Sequence, residues 1–324
     1  MEAVRNDSLR FFKFNYNRMS AVTTLLASNL LVPVKKYMSM KKVSAFIFLM
    51  VFFVFTNNLF AEKKIGLVLS GGGALGYAHL GVIQALEEHG ISPQYIAGTS
   101  MGAIVGVMYA DGYMPEDILE IVKEDKLNNI LSLVNLELIK INSGASNHRA
   151  LYKVLHEKLS TNSFEHLKKQ YYVCVTDFDR GEYRIIHKGS KLAEYVVASS
   201  SIPGVFETGT IDKTTYVDGG TLNNFPAQAI RDKCDVLIGV DVLPFLDNSN
   251  KNTAVSVVAW SIRLMQHQNS LPGRQLCDFL IEPDAVRTYH EFNFDKYLQI
   301  YENGYQSMNK YLDTHPELIE MCLN

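Results

Sequence analysis

The sequence predicts an α/β fold: a mainly parallel central sheet flanked by helices. Short apolar runs of strand length, such as 64–69 and 235–241, alternate along the chain with longer stretches of helical spacing. These strands are apolar throughout rather than alternating, as expected of parallel strands covered on both faces. Two strand ends also pass through glycine-rich turns straight into helices, at 70–76 and 98–102. The chain has 324 residues, enough for one large domain or two small ones, and 47% hydrophobic content supplies a sizeable core.

The first 61 residues read as an N-terminal extension and signal peptide, and residues 62–324 as the functional domain. Lys41-Lys42 precedes an apolar run from Val43 to Phe55, long enough for a signal-peptide core and short for a membrane span. Leu59-Phe60-Ala61 follows as a cleavage site, and the natural start is expected near Met40. Export to a periplasm or the medium is the expected outcome. An uncleaved anchor at 43–55 is one alternative, and an organelle-targeting peptide in the acid-poor stretch Arg10 to Arg18 is another.

In the first part of the domain, 64–69 is a strand, Ser70-Gly71-Gly72-Gly73-Ala74-Leu75-Gly76 a loop, and Tyr77 to His89 a helix ended by Gly90. Ala78, Val82, Ala85 and Leu86 share one face of that helix, with Gln84, Glu87 and Glu88 directed outward. Tyr95-Ile96-Ala97 is the second strand, and an almost wholly apolar helix runs from Met101 to Asp111. Its small residues Gly102, Gly106 and Ala110 form a stripe for close packing. Pro115 opens another helix, to about Lys126.

Residues 127–147 are apolar without clean periodicity, which suits either a cover over a site or a helix packed on the core. A helix over 150–159, a hairpin turning at Asp179-Arg180-Gly181-Glu182 and a helix over 192–197 come next. Ser199, Ser200 and Ser201 read as loop residues. The last third gives a strand at 235–241, a helix over 254–270, a strand at 279–283 and a closing helix over 294–311. The aromatic stripe of that last helix, Tyr297, Tyr301 and Tyr305, reads as core packing.

The chemistry centres on Gly98-Thr99-Ser100-Met101-Gly102, a G-x-S-x-G on a strand-to-helix turn. Such a turn lifts a hydroxyl above the sheet at an unfavourable backbone angle, with small neighbours so that strand and helix can meet. The competing reading is Ser100 as an ordinary N-cap. The glycine loop opens a helix, so its N–H groups and the helix dipole suit negative charge. Gly71, Gly73 and Gly76 also spell the dinucleotide-binding fingerprint, but the acid that fingerprint needs at the end of the second strand is missing. An oxyanion hole is therefore favoured over a cofactor site.

A nucleophilic serine needs a base. Asp218, at a strand end before Gly219-Gly220, is the leading candidate, with Asp177 and Asp241 as alternatives. His79 sits beside the glycine loop and reads as a bracing residue. The four cysteines form no C-x-x-C pair, so a zinc site is not expected; no metal or cofactor is expected either, and a net charge of -3 gives no reason to expect nucleic-acid binding.

Gly71-Gly72-Gly73-Ala74-Leu75-Gly76, Gly98-Thr99-Ser100-Met101-Gly102, Ala198-Ser199 with Pro203, and Asp218-Gly219-Gly220 together resemble the four ordered signatures of patatin-like phospholipases. The resemblance extends over about residues 63–313. One departure is Leu75, where many relatives carry Arg or Lys. The resemblance implies a Ser–Asp dyad without histidine: Ser100 attacks an ester carbonyl, Asp218 shuttles the proton, and the loop of Gly71, Gly72 and Gly73 holds the oxyanion.

Gly76, Gly98, Gly102, Gly219 and Gly220 support the motifs. The implied partners are a phospholipid or other acyl-ester lipid and a membrane surface. A free aspartate, at ~3.9, is too weak a base at neutral pH unless burial raises it. A non-catalytic lipid-binding or scaffolding protein on the same fold is the rival reading. No motif specifies a head group or an oligomeric state.

Overall fold

A computed structural model describes residues 63–124, 145–243, 245 and 253–324. Residues 63–324 form one compact unit. The apolar run 43–55, the cleavage site and residues 127–144 lie outside the described residues. Residues 145–147 open a helix.

In chain order the elements are β1 (Ile65–Leu69), α1 (Tyr77–Glu88), β2 (Tyr95–Thr99), α2 (Met101–Asp111), α3 (Pro115–Glu124) and α4 (Ala145–Lys158). Next come β3 (Gln170–Asp177), β4 (Glu182–Ile186), α5 (Leu192–Ser199), β5 (Gly209–Ile211) and β6 (Thr214–Asp218). The chain closes with β7 (Val236–Val240), α6 (Ala254–Arg274), β8 (Phe279–Ile281), α7 (Tyr297–Thr314) and α8 (Pro316–Leu323).

All eight strands among the described residues join one sheet, in which β3, β2, β1, β7 and β8 run parallel in that spatial order. The hairpin strand β4 and the β5–β6 pair are antiparallel additions at the β3 side. Side chains on β1 alternate between two cores. Ile65, Leu67 and Leu69 enter the larger core under the helices, and Val68 enters a smaller one with Leu237, Tyr172 and Phe225.

The register around β3 decides where the site forms. One edge of β3 carries β4, over Val173 to Asp177. The other edge is shared: β2 covers it as far as Cys174, opposite Thr99, and β6 takes over at Val175, opposite Asp218. The C-terminal ends of β2 and β6 therefore meet head to head. Ser100 follows one end and Asp218 is the other, so two residues far apart in sequence are neighbours along one edge of β3.

One surface expectation fails. Gln84 is buried, as is all of Tyr77 to Leu86, because α7 crosses the side of α1 expected to face solvent. The crossing is close: a Cβ on Gly81 would overlap the Tyr301 carbonyl, and one on Gly304 would overlap the Ala78 carbonyl. Gln84 keeps a partner by donating from Nε2 to Glu88 at 2.8 Å. The stripe Tyr297, Tyr301 and Tyr305 packs on the core as expected, with Tyr297 edge-on to Tyr77.

Candidate active site

Ser100 sits at φ 54°, ψ −123°, between β2 and α2. For a residue with a Cβ this is a strained conformation, costing about 1–3 kcal/mol, and it persists only where the surroundings enforce it. They do so here. A Cβ on Gly98 would overlap the Gly102 carbonyl, and one on Gly102 would overlap the Leu69 and Ser70 carbonyls. Only glycine at both places lets β2, α2 and the end of β1 meet this closely. The Ser100 side chain makes no capping bond to α2, so the N-cap alternative does not hold.

Ser199 supplies the remaining restraint. It is fully buried at the end of α5; its Oγ accepts the Ser100 N–H at 2.9 Å and donates to the Cys174 carbonyl at 2.6 Å. That hydroxyl ties the Ser100 backbone to the point on β3 where β2 gives way to β6. The expectation of a mere loop residue is corrected: Ser199 belongs to the support of the turn. Ser201 adds to it, its carbonyl accepting the Asp218 N–H at 2.9 Å.

Asp218 is buried at the end of β6. Its Oδ1 accepts the Gly220 N–H at 2.7 Å, while Oδ2 is buried with no regular hydrogen bond. The Ser100 hydroxyl lies near enough to interact with the carboxylate, without completing a bond of regular geometry. Burial raises the Asp218 pKa to about 7, against the lowering effect of Ser100 and the Gly220 N–H. The carboxyl is thus poised near neutrality, as a general base requires.

The alternative acids are both engaged elsewhere: Asp177 pairs with Arg180 at 3.0 Å and Asp241 with Arg274 at 2.9 Å. His79 Nε2 donates to the Ser70 carbonyl at 2.9 Å, bracing the loop as expected. No histidine is among the described residues that line the site.

The glycine loop divides its donors. Gly71 N–H is spent on the Asn224 carbonyl at 3.2 Å and Ala74 N–H on the Glu291 carbonyl at 2.8 Å. Gly72 and Gly73 line the cavity beside Ser100, and no internal acceptor takes their N–H groups among the described residues. Gly71 is therefore a support of the loop rather than an oxyanion donor, a correction to its expected role. Gly73 has φ 55° and a Cβ there would overlap the Glu291 carbonyl, so glycine is required. Gly76 packs against Met101, and Gly219 against the Cys174 carbonyl.

Asn224 donates to Gly71 O at 3.3 Å and receives support from Asn269, whose amide also holds the Gly220 carbonyl at 3.0 Å. This pair of asparagines joins the loop to the turn after Asp218. Leu75 is buried in the main core, away from the cavity.

Ser100, Asp218, Gly72 and Gly73 open onto one cavity of about 420 Å³. Its walls are chiefly apolar: Ile104 from α2, Ile202 to Phe206 from the loop after α5, Val258 and Ile262 from α6, and Phe292 and Phe294. Arg263, Gln266 and Glu291 also line it and are polar.

The family model for patatin-like phospholipases matches residues 67–230, just over half of the chain. The chain belongs to the patatin-like phospholipase family. Lysophospholipase NTE1 of Cryptococcus neoformans is 31% identical over 210 residues, 62% of this chain and 12% of the relative. The mouse patatin-like phospholipase domain-containing protein 6 is 31% identical over 279 residues, 75% of this chain and 20% of the relative. The chain thus spans a fifth or less of the length of these curated relatives. Among solved structures, that of VipD from Legionella pneumophila aligns with TM-score 0.46 and 20% identity, covering 78% of this chain and 67% of VipD.

Proposed function

We propose that this protein is a serine lipid acyl hydrolase, of phospholipase A, lysophospholipase or esterase type, acting through Ser100 and Asp218. The observation that carries the reading is a hydroxyl on a strained turn beside a buried carboxyl with a pKa of about 7, both facing one apolar cavity. Ser100 Oγ attacks the ester carbonyl and its proton passes to Asp218. The N–H groups of Gly72 and Gly73 hold the developing oxyanion, each worth roughly 3–4 kcal/mol of barrier. As the tetrahedral intermediate collapses, Asp218 returns the proton to the leaving alcohol. Asp218 then takes a proton from water, whose oxygen attacks the acyl-enzyme; as that intermediate collapses, Asp218 returns the proton to Ser100 Oγ and the fatty acid is freed.

The acyl chain lies along the apolar wall of Ile104, Ile202, Val205 and Ile262. Val258, on the cavity rim, and Val257 next to it are exposed, which suits contact with a lipid surface. The name of the fungal relative, a lysophospholipase, favours a single-chain lipid among the substrates. Export through residues 1–61 belongs to the same reading, and N-terminal sequencing of the mature protein tests it. For the activity, the purified protein is assayed for fatty-acid release from lysophospholipid. Release that vanishes in Ser100→Ala and in Asp218→Asn supports the reading; release that survives either change overturns the dyad.

A further inference from the structure

The cavity lining includes one ion pair. Arg263, on α6, meets the Glu291 carboxylate at 2.9 Å, and both side chains are largely buried. Arg263 is the sole basic residue, and Glu291 the sole acid besides Asp218, among the described residues lining the cavity. The pair is also fixed relative to the chemistry. The Glu291 carbonyl accepts the Ala74 N–H at 2.8 Å, and the Glu291 Cβ lies 3.1 Å from where a Cβ on Gly73 would stand. The charges therefore sit next to the glycine loop.

A pair of opposite charges side by side is complementary to a ligand that carries both signs close together. A lone phosphate meets Glu291 as well as Arg263 and is repelled by one of them. An uncharged alcohol gains from neither and must leave both charges paired with each other. A phosphate ester bearing an ammonium group can satisfy both, the phosphate on the guanidinium and the ammonium on the carboxylate. The glycerol backbone that joins such a head group to the scissile ester brings it near the glycine loop.

We propose that Arg263 and Glu291 form a head-group subsite that selects zwitterionic glycerophospholipids over both anionic and uncharged acyl esters. The proposal rests on the hydrolase reading above and names its substrate class.

The test compares hydrolysis of three lipids with one acyl chain in common: lysophosphatidylcholine, lysophosphatidylglycerol and monoacylglycerol. Each is presented in the same nonionic detergent micelles, and kcat/KM for each is divided by that of a short p-nitrophenyl ester on the same enzyme. The wild-type protein is expected to favour the zwitterion by about tenfold, the equivalent of one charge-assisted hydrogen bond. Glu291→Gln is expected to raise the anionic lipid relative to the zwitterion until the two are nearly equal. Arg263→Gln is expected to remove the advantage of the zwitterion over monoacylglycerol, and Arg263→Lys to restore part of it.

A wild-type protein that hydrolyses all three lipids without favouring the zwitterion overturns the subsite. So do ratios that stay fixed in both Glu291→Gln and Arg263→Gln. The wild-type comparison does not depend on either variant folding. Failure of the wild-type protein to cleave any ester, or cleavage that persists in Ser100→Ala, counts instead against the hydrolase reading.

Discussion

Asp218→Asn is expected to make the protein inactive and more stable, and the stabilisation depends on pH in a defined direction. Burial raises the Asp218 pKa from 3.8 to about 7. The folded protein therefore holds a proton there that the unfolded chain releases from about pH 4 upward. A raised acid pKa gives stability that is fully present below the unfolded value and is lost as pH climbs to the folded one. Each unit corresponds to about 1.4 kcal/mol, so ionising this carboxyl costs the fold about 4 kcal/mol above pH ~7.

Asparagine keeps an oxygen to accept the Gly220 N–H and carries no charge. The variant should thus exceed the wild type by up to about 4 kcal/mol at pH ~8, falling to about 1 kcal/mol near pH ~4.5. Urea titrations of both proteins at the two pH values measure this directly. A variant no more stable than the wild type at the higher pH, or a gap that does not shrink in acid, refutes the reasoning. Such an exchange of stability for function is the usual mark of a destabilised catalytic group.

Two further outcomes follow from the same geometry. The kcat/KM for ester hydrolysis should rise about tenfold per pH unit below ~7 and level off above it, because the proposed base is the ionised form of Asp218; a profile flat from pH 5 to 8 contradicts this. Ser199→Ala removes the acceptor of the Ser100 N–H and should lower kcat by about 10- to 100-fold with little change in KM, since it disturbs the aim of the nucleophile rather than the acyl wall. Equal loss through KM argues against that role.

Local features of this protein were readable in the sequence because they repeat a local physical need. Gly98, Ser100 and Gly102 announce the turn, since strand, strained residue and helix all fall within a few positions. The glycine loop is equally plain, as are the strands and helices that flank both motifs. Asp218 was harder: an Asp-Gly at a strand end is an ordinary turn, and its meaning came from the order of four motifs.

What the residues alone could not reveal is the junction on β3, where β2 stops at Cys174 and β6 begins at Val175. The role of Ser199 depends on that junction, since its partners lie 99 and 25 residues away. Gly71 was misjudged because its N–H finds an acceptor in Asn224, 153 residues on. Gln84 was misjudged because nothing in α1 tells that α7 will cover it. The Arg263–Glu291 pair combines two unremarkable charges 28 residues apart, which only the cavity makes neighbours.

The central claim is that a buried aspartate activates the hydroxyl of Ser100. A fluorophosphonate probe with the modified residue mapped by mass spectrometry tests it most directly. The account predicts a single adduct on Ser100, forming faster as pH rises through about 7 and slowed at least a hundredfold in Asp218→Asn. An adduct on another residue, or labelling of Ser100 at the same rate in Asp218→Asn, contradicts it.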